Sequence, residues 1–154
     1  MSWSTATLCT DADLLGFEAT WLEWTSDADA WRAKAKQQIE KRLRYLLRAR
    51  ELETDAEDVL DLVLNPSVLR DAACYMTFAL VAQSNMTHPQ DAWAAKLKHY
   101  GELFMLEMDQ AVEMIEFDAD ESGTIDDSEK YRLTGAVRFT RGGSMPVSDD
   151  EDAP

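Results

Sequence analysis

The chain is short of cysteine, histidine and positive charge, and each shortage excludes something. Its two cysteines are Cys9, near the start, and Cys74, inside an apolar run, so a disulfide framework is not expected. Its two histidines, His88 and His99, stand eleven apart, off the spacing of a ligand pair on one helix face. Each is expected to be a surface or capping residue. We find no nucleophile–base pair, phosphate-binding loop or catalytic-zinc spacing, so an enzyme is not expected. Fifteen Lys+Arg face 30 Asp+Glu, a net charge of −15. That argues against DNA or an anionic membrane as the main partner, and favours a basic surface or cations. The longest apolar run is too short and too rich in alanine to span a bilayer. No charged-then-apolar leader is seen at the N-terminus, and the cytoplasm is the expected compartment.

What is present is helical periodicity. At 154 residues and 45% hydrophobic the chain suits one domain with its own core. Its organising stretch is Pro66 to Ser84, PSVLRDAACYMTFALVAQS. Asn65 is expected to cap it, with Pro66 at the first helical position. Leu69, Ala72, Ala73, Met76 and Leu80 line one side, and Val68, Tyr75, Phe78 and Ala82 another. A helix apolar on both sides has to be surrounded. The expected fold is all-α: a small helical bundle around this central apolar helix.

The other elements surround that helix. Thr10 is expected to cap a short turn of helix over Asp11 to Leu15, ended by Gly16. Trp3, Trp21, Trp24 and Trp31 crowd the first part of the chain, as a lid on one end of the core or as interface anchors; the lid is the preferred reading. A long helix over 27–50, capped by Ser26, carries the stripe Trp31, Ala35, Ile39, Leu43, Leu46 and Leu47. Its other faces hold Arg32, Lys34, Lys36, Lys41, Arg42, Arg44, Arg48 and Arg50, with Glu40 the only acid among them. That basic face either pairs with the chain's own acidic helices or docks an acidic partner, such as another copy in a ring. Residues 54–64 read as a short amphipathic helix with a Thr54–Glu57 capping box. A second long helix over 89–117, opened by Pro89, carries Trp93, Leu97, Tyr100, Phe104, Ala111 and Ile115. Met105, Met108 and Met114 thicken that stripe, and Gly101 is either a weak point or a site of close helix approach.

The most specific local signal is DADESGTIDDSE, residues 118–129. It matches an EF-hand calcium loop position by position. Asp118, Asp120 and Ser122 supply side-chain oxygens, Thr124 its carbonyl, Asp126 an oxygen directly or through water, and Glu129 a bidentate carboxylate. Gly123 permits the sharp turn and Ile125 is the apolar anchor. Calcium takes six to eight hard oxygens, which is why it needs a loop that wraps. The loop either holds Ca²⁺ as a structural clamp at the foot of the long helix or is an acidic surface turn without an ion; no exiting helix is evident after it, and the clamp is the preferred reading. Beyond it, Val137, Phe139 and Arg141 alternate with Ala136, Arg138 and Thr140, a strand candidate with no second strand to pair with. Such a strand finds an edge on another subunit, which makes Val137, Arg138, Phe139 and Arg141 partner-binding candidates. The tail after it ends in an acid run. We divide the chain into a helical domain, 1–130, which includes the acidic loop, and a C-terminal arm with a flexible acidic tail, 131–154.

The order of these parts resembles the head–tail connector (adaptor, or head-completion) proteins of tailed bacteriophages. The matching pieces are TDADLLGFEATW, the helix from Asp27, NPSVLRDAACYMTFAL and HYGELFMLEMDQAVEMIEFDAD, so the likeness covers roughly residues 10–141. The resemblance implies a virion protein of the neck: a ring of copies under the portal, a C-terminal arm that reaches the portal, and an opposite face that receives the next tail or neck component. Arg32, Lys36, Arg42, Arg44 and Arg48 are then candidates for partner contact. The family has no active site to match, and the acidic loop is not general to it. The alternative is an intracellular calcium-binding helical protein-interaction module, with the methionine-rich helix as its groove.

Overall fold

The computed structural model describes residues 3–49 and 59–116. Among them the chain forms four α-helices, four short 3₁₀ turns and no β-strand. The all-α bundle is therefore observed. The acidic loop, the arm and residues 50–58 lie outside the described residues.

Helix α1, Asp11–Phe17, begins at Thr10 through a reciprocal pair of bonds. The Asp13 N–H donates to the Thr10 hydroxyl oxygen at 3.3 Å, while the Asp13 carboxylate accepts from the Thr10 N–H at 2.8 Å. Two of the orphan donors at the helix start are thereby satisfied. Gly16 does not end the helix, contrary to expectation. It stays helical, and the turn closes at Glu18, whose backbone is extended and whose N–H donates to the Leu14 carbonyl. Glu18 is drawn out of the helix by its side chain, which accepts from the Tyr100 hydroxyl.

Helix α2, Ala28–Ala49, is capped one residue later than expected. Asp27, not Ser26, accepts from the Ala30 N–H, at 3.1 Å. Its own N–H is held by the Thr25 hydroxyl at 3.2 Å, which sets the carboxylate three residues ahead of the donor it serves. Ala35, Ile39 and Leu43 of the expected stripe are buried and Trp31 is half-buried. The described end of the 54–64 segment is a 3₁₀ turn, Val59–Leu62, rather than an α-helix; Leu60, Leu62 and Val63 are buried there.

The central segment starts as a 3₁₀ turn, Pro66–Leu69, and continues as α3, Arg70–Asn85. Pro66 takes the first position as expected. Ala72, Ala73, Cys74, Thr77, Phe78, Ala79, Val81 and Ala82 are all buried, and they point in every direction around the axis. Tyr75, Met76 and Leu80 are half-buried. The helix is surrounded because α4 packs along one side and α2 along another. Four alanines keep α3 thin enough for both neighbours to come close at native packing density. Each fully buried Phe, Leu, Ile or Met in this core stabilises the fold by about 1.5–3 kcal/mol.

Helix α4, Ala92–Met114, opens at Asp91 and not, as expected, at Pro89, which lies in the turn before it. Tyr100, Phe104, Met108, Ala111 and Ile115 are buried along one stripe, and Trp93 and Leu97 are half-buried above them. Two further expectations are corrected. Met105 and Met114 lie outside the core, 42% and 55% exposed, so of the three methionines only Met108 fills it. Gly101 is not a point of close approach, since a β-carbon added there would meet nothing within 4 Å. Bonds at both ends fix the directions of the helices. The Asn85 side-chain amide, at the end of α3, donates to the Trp24 carbonyl, just before α2, at 3.0 Å. Asn65, just before α3, binds the end of α4. Thus α3 runs antiparallel to both α2 and α4.

Candidate functional site

The basic side chains of α2 are committed largely within the chain. The Arg32 guanidinium lies 3.6 Å from an Asp11 carboxylate oxygen and also contacts Asp29 one turn back. Lys36 donates to two backbone carbonyls, Trp3 and Ala6, at 2.8 Å each. Arg42 lies 3.7 Å from Asp109 of α4, and the Lys34 ammonium sits 3.9 Å from the centre of the Trp31 ring. Arg44 is half-buried on the same helix and is itself engaged. Partly exposed pairs of this kind are worth roughly 0–1 kcal/mol each, so they orient neighbouring segments more than they stabilise them. Lys36 is the informative one. It ties the N-terminal stretch, a single 3₁₀ turn followed by non-helical residues, onto the side of α2 by binding two of its carbonyls. The side chain of Arg48 lies outside the described residues, as do the loop ligands Asp118, Asp120, Ser122, Thr124, Asp126 and Glu129 and the arm residues Val137, Arg138, Phe139 and Arg141.

The tryptophans do not form a single lid. Trp3 stands apart, its Nε1–H donating to Glu40 at 2.8 Å and its backbone N–H to Asp61 at 2.8 Å. Trp21 is fully buried and meets Phe78 edge-on, with ring centroids 5.2 Å apart. Trp24 continues the cluster to Phe78 at 5.6 Å and to Trp93 at 5.5 Å, the latter T-shaped. Phe78 and Tyr100 lie 4.9 Å apart beneath them. Tilted and T-shaped pairs suit the ring quadrupoles and add about 0.5–1.5 kcal/mol each beyond area burial. The Lys96 ammonium caps the outside, 3.5 Å from the Trp24 ring centre and 5.5 Å from that of Trp93. Beside this cluster opens a cleft of about 420 Å³, lined among others by Trp24, Ser26, Trp31, Lys34, Ser84 and Asn85.

Sequence reasoning missed Trp93 and Lys96 as part of this surface. The signal was there: WRAK at 31–34 and WAAK at 93–96 repeat one Trp-x-x-Lys spacing. Three residues apart on a helix, the lysine can fold over its own tryptophan.

The opposite end of the bundle is held by hydrogen bonds. Asn65 does not cap the central helix, which corrects the expectation. Its side-chain amide donates to the Met114 carbonyl at 2.9 Å, and its side-chain oxygen accepts from the Glu116 N–H at 2.9 Å. The Leu64 N–H adds a bond to the Glu116 carbonyl at 3.0 Å. A side-chain amide imitates a peptide group, so Asn65 can pair with backbone as a strand would. Three bonds thus fix the chain at Glu116, two residues ahead of the first calcium-ligand candidate, Asp118.

Capping electrostatics also set the start of α4. Asp91 accepts from the backbone N–H groups of Thr87, His88 and Ala94, at 2.9, 3.1 and 2.8 Å. Those donors, led by Thr87, pull its carboxyl down to about 2. His88 Nδ1 accepts from the Gln90 N–H in the same turn, and His99 is exposed against the edge of Tyr100, so both histidines are capping or surface groups. Burial, and then the bond to Glu18, push the Tyr100 hydroxyl well above its ordinary value.

Among the described residues no group of three or more His, Cys, Asp or Glu is placed to hold a metal ion, and no helix is long and apolar enough to cross a membrane. What the described surface offers is contact: rings with cations over them at one end, and a fixed chain exit at the other. No family model, no curated protein and no solved structure matches the chain.

Proposed function

We propose that this chain is a structural subunit of a virion neck: a head-to-tail adaptor that forms a ring on the portal of a tailed bacteriophage and links the capsid to the tail or neck. The observation that carries the reading is the exit of the chain from α4. Three hydrogen bonds set its direction at Glu116, and the sequence then runs into a calcium-type loop and a strand candidate with no partner of its own. A rigid body that launches an unpaired strand from one fixed point is suited to strand addition on another subunit. Val137, Arg138, Phe139 and Arg141 make that contact with the portal. Asp118, Asp120, Ser122, Asp126 and Glu129, with the Thr124 carbonyl, hold Ca²⁺ and keep the exit direction constant into the arm. The aromatic cleft at the other end receives the next neck component. Arg44 and the exposed Tyr45 on α2 face a neighbouring copy in the ring, the contact to which the sequence also assigns Arg48. The role is mechanical and not enzymatic.

The test is co-elution of the purified chain with the portal protein of the same virus, read by light scattering with and without a calcium chelator. A large stoichiometric complex, weakened by chelator, is the expected result. A chain truncated after Glu129 should fail to join it; equal binding by the truncated chain would sink the arm assignment. One observation favours the second reading, a calcium-responsive interaction module. Met105, Leu106 and Met114 are exposed on α4, as a methionine-rich groove requires. Binding of an apolar-surface dye should stay flat across a calcium titration if the chain is an adaptor, and rise if it is such a module.

A further inference from the structure

The two cysteines, remote in sequence, meet inside the fold. Cys9 lies in the irregular stretch before α1 and Cys74 in the second turn of α3; both are free thiols and both are buried. Cys9 Sγ is 4.0 Å from the hydroxyl oxygen of Thr77, one turn beyond Cys74 on the same helix. The Thr77 hydroxyl spends its own proton on the Ala73 carbonyl at 2.7 Å, which leaves its oxygen free to accept from Cys9. Cys74 lies one turn before Thr77 in the same buried core cluster, near enough to Cys9 for each thiol to shift the other's titration. The result is a pair of buried thiols side by side in the core, with Cys9 linked through Thr77 to the Ala73 carbonyl.

A cavity of about 210 Å³ adjoins this pair, lined by the Ala6–Cys9 stretch on one side and by Asp29, Arg32, Ala33 and Lys36 of α2 on the other. It gives a small uncharged molecule a way to the Cys9 side of the pair. Between the 3₁₀ turn at Trp3–Thr5 and the cap at Thr10, the residues that carry Cys9 belong to no helix, and Lys36 ties this segment to α2, so it has room to adjust to a new covalent link.

We propose that Cys9 and Cys74 are an oxidisable thiol pair, which a hydroperoxide converts to a disulfide that staples the N-terminal stretch to α3. The steps balance. Cys9 sulfur attacks one oxygen of hydrogen peroxide and the O–O bond breaks. Cys9 becomes a sulfenic acid, and the departing hydroxide takes the Cys9 proton to leave as water. Cys74 sulfur then attacks the sulfenic sulfur, the S–O bond breaks, and the hydroxyl leaves with the Cys74 proton as a second water. Two thiols are oxidised by two electrons, and one peroxide is reduced to two waters. A small dithiol reverses the change by thiol–disulfide exchange. Cys9 is the attacking sulfur because its surroundings favour its thiolate. The neighbouring Cys74 thiol comes first, then the Arg32 charge, against burial and the charge of Asp13. Cys74 is the resolving thiol: the neighbouring Cys9 and its burial both hold it protonated.

The experiment uses the full chain, reduced, desalted and treated with hydrogen peroxide. Expected is a mass loss of two hydrogens, a single cross-linked peptide joining the Cys9 and Cys74 segments on a non-reducing map, full reversal by dithiothreitol, and a higher thermal midpoint while oxidised. In Cys74→Ser, dimedone should trap a sulfenic acid on Cys9; in Cys9→Ser, Cys74 should stay unlabelled. Two free thiols titrated after peroxide treatment and unfolding would overturn the proposal, as would a cross-link between copies. Dimedone labelling of Cys74 in Cys9→Ser would overturn the assigned order of attack. If either serine variant loses its helical circular dichroism, the wild-type peptide map decides alone.

Discussion

The two ends of this bundle are closed by different chemistry. At one end Trp21, Trp24, Phe78, Trp93 and Tyr100 stack edge to face, joining the start of α2, the end of α3 and the start of α4. At the other, Leu64 and Asn65 hold Met114 and Glu116 through three hydrogen bonds. Rings bury large areas and tolerate a range of angles, so they give energy without fixing direction. Hydrogen bonds give little net energy but demand alignment, so they fix direction. The ring end should therefore dominate stability, and the bonded end should dominate where the chain goes next.

The sharpest way to break that contrast is Phe78→Ala. It empties the centre of the ring cluster and should cost about 3–5 kcal/mol in urea unfolding. A loss near 1 kcal/mol would mean the rings are not the main anchor. Asn65→Ala at the other end should cost less, about 1–2 kcal/mol for two lost bonds. It should, however, speed hydrogen exchange at the Glu116 amide far more than Phe78→Ala does under native conditions. Equal exchange in the two variants would erase the division of labour. Gly101→Ala, between the two ends, should stabilise the chain by about 0.5–1 kcal/mol, because the site has room and the helix prefers alanine. A destabilised Gly101→Ala would show that α4 needs freedom at mid-length. The smallest effect belongs to Asp91, whose folded carboxyl sits near 2, below the ordinary 3.8. A depressed carboxyl contributes stability above its unfolded value and loses it as pH falls through the folded one. The urea midpoint of the wild type should fall further than that of Asp91→Asn between pH values of about 4 and 2. Parallel curves would mean the turn before α4 is held by other groups.

Much of the fold was legible because it is local. The Thr10 cap, the stripe Ala35–Ile39–Leu43 and the stripe Tyr100–Phe104–Ala111–Ile115 are all set by spacing along one helix. The failures are tertiary. Asn65 before Pro66 has the chemistry of a cap, but the end of α4 competes for the same amide and wins. Gly101 looks like a contact point, yet only the distance to another helix could decide it. Met105 and Met108 have the same hydropathy and differ only in angle about the axis, where three residues separate core from solvent. The candidate site was half legible: the basic residues of α2 were visible, but their acidic and carbonyl partners come from Asp11, Asp109 and the first residues of the chain. The cysteines could not be paired at all, since nothing in a sequence brings position 9 to position 74.

The ring-rich end has an optical consequence. Trp21, Trp24, Trp31 and Trp93, four of the chain's five tryptophans, report from that end, and only Trp3 lies elsewhere. Helix α4 is 23 residues long, so the exit at Glu116 is roughly 34 Å away at 1.5 Å per residue. Intrinsic emission is thus a local gauge of one end and nearly blind to the other. A dye placed beyond Glu116 would turn the same tryptophans into energy-transfer donors, and the native chain would then measure its own arm.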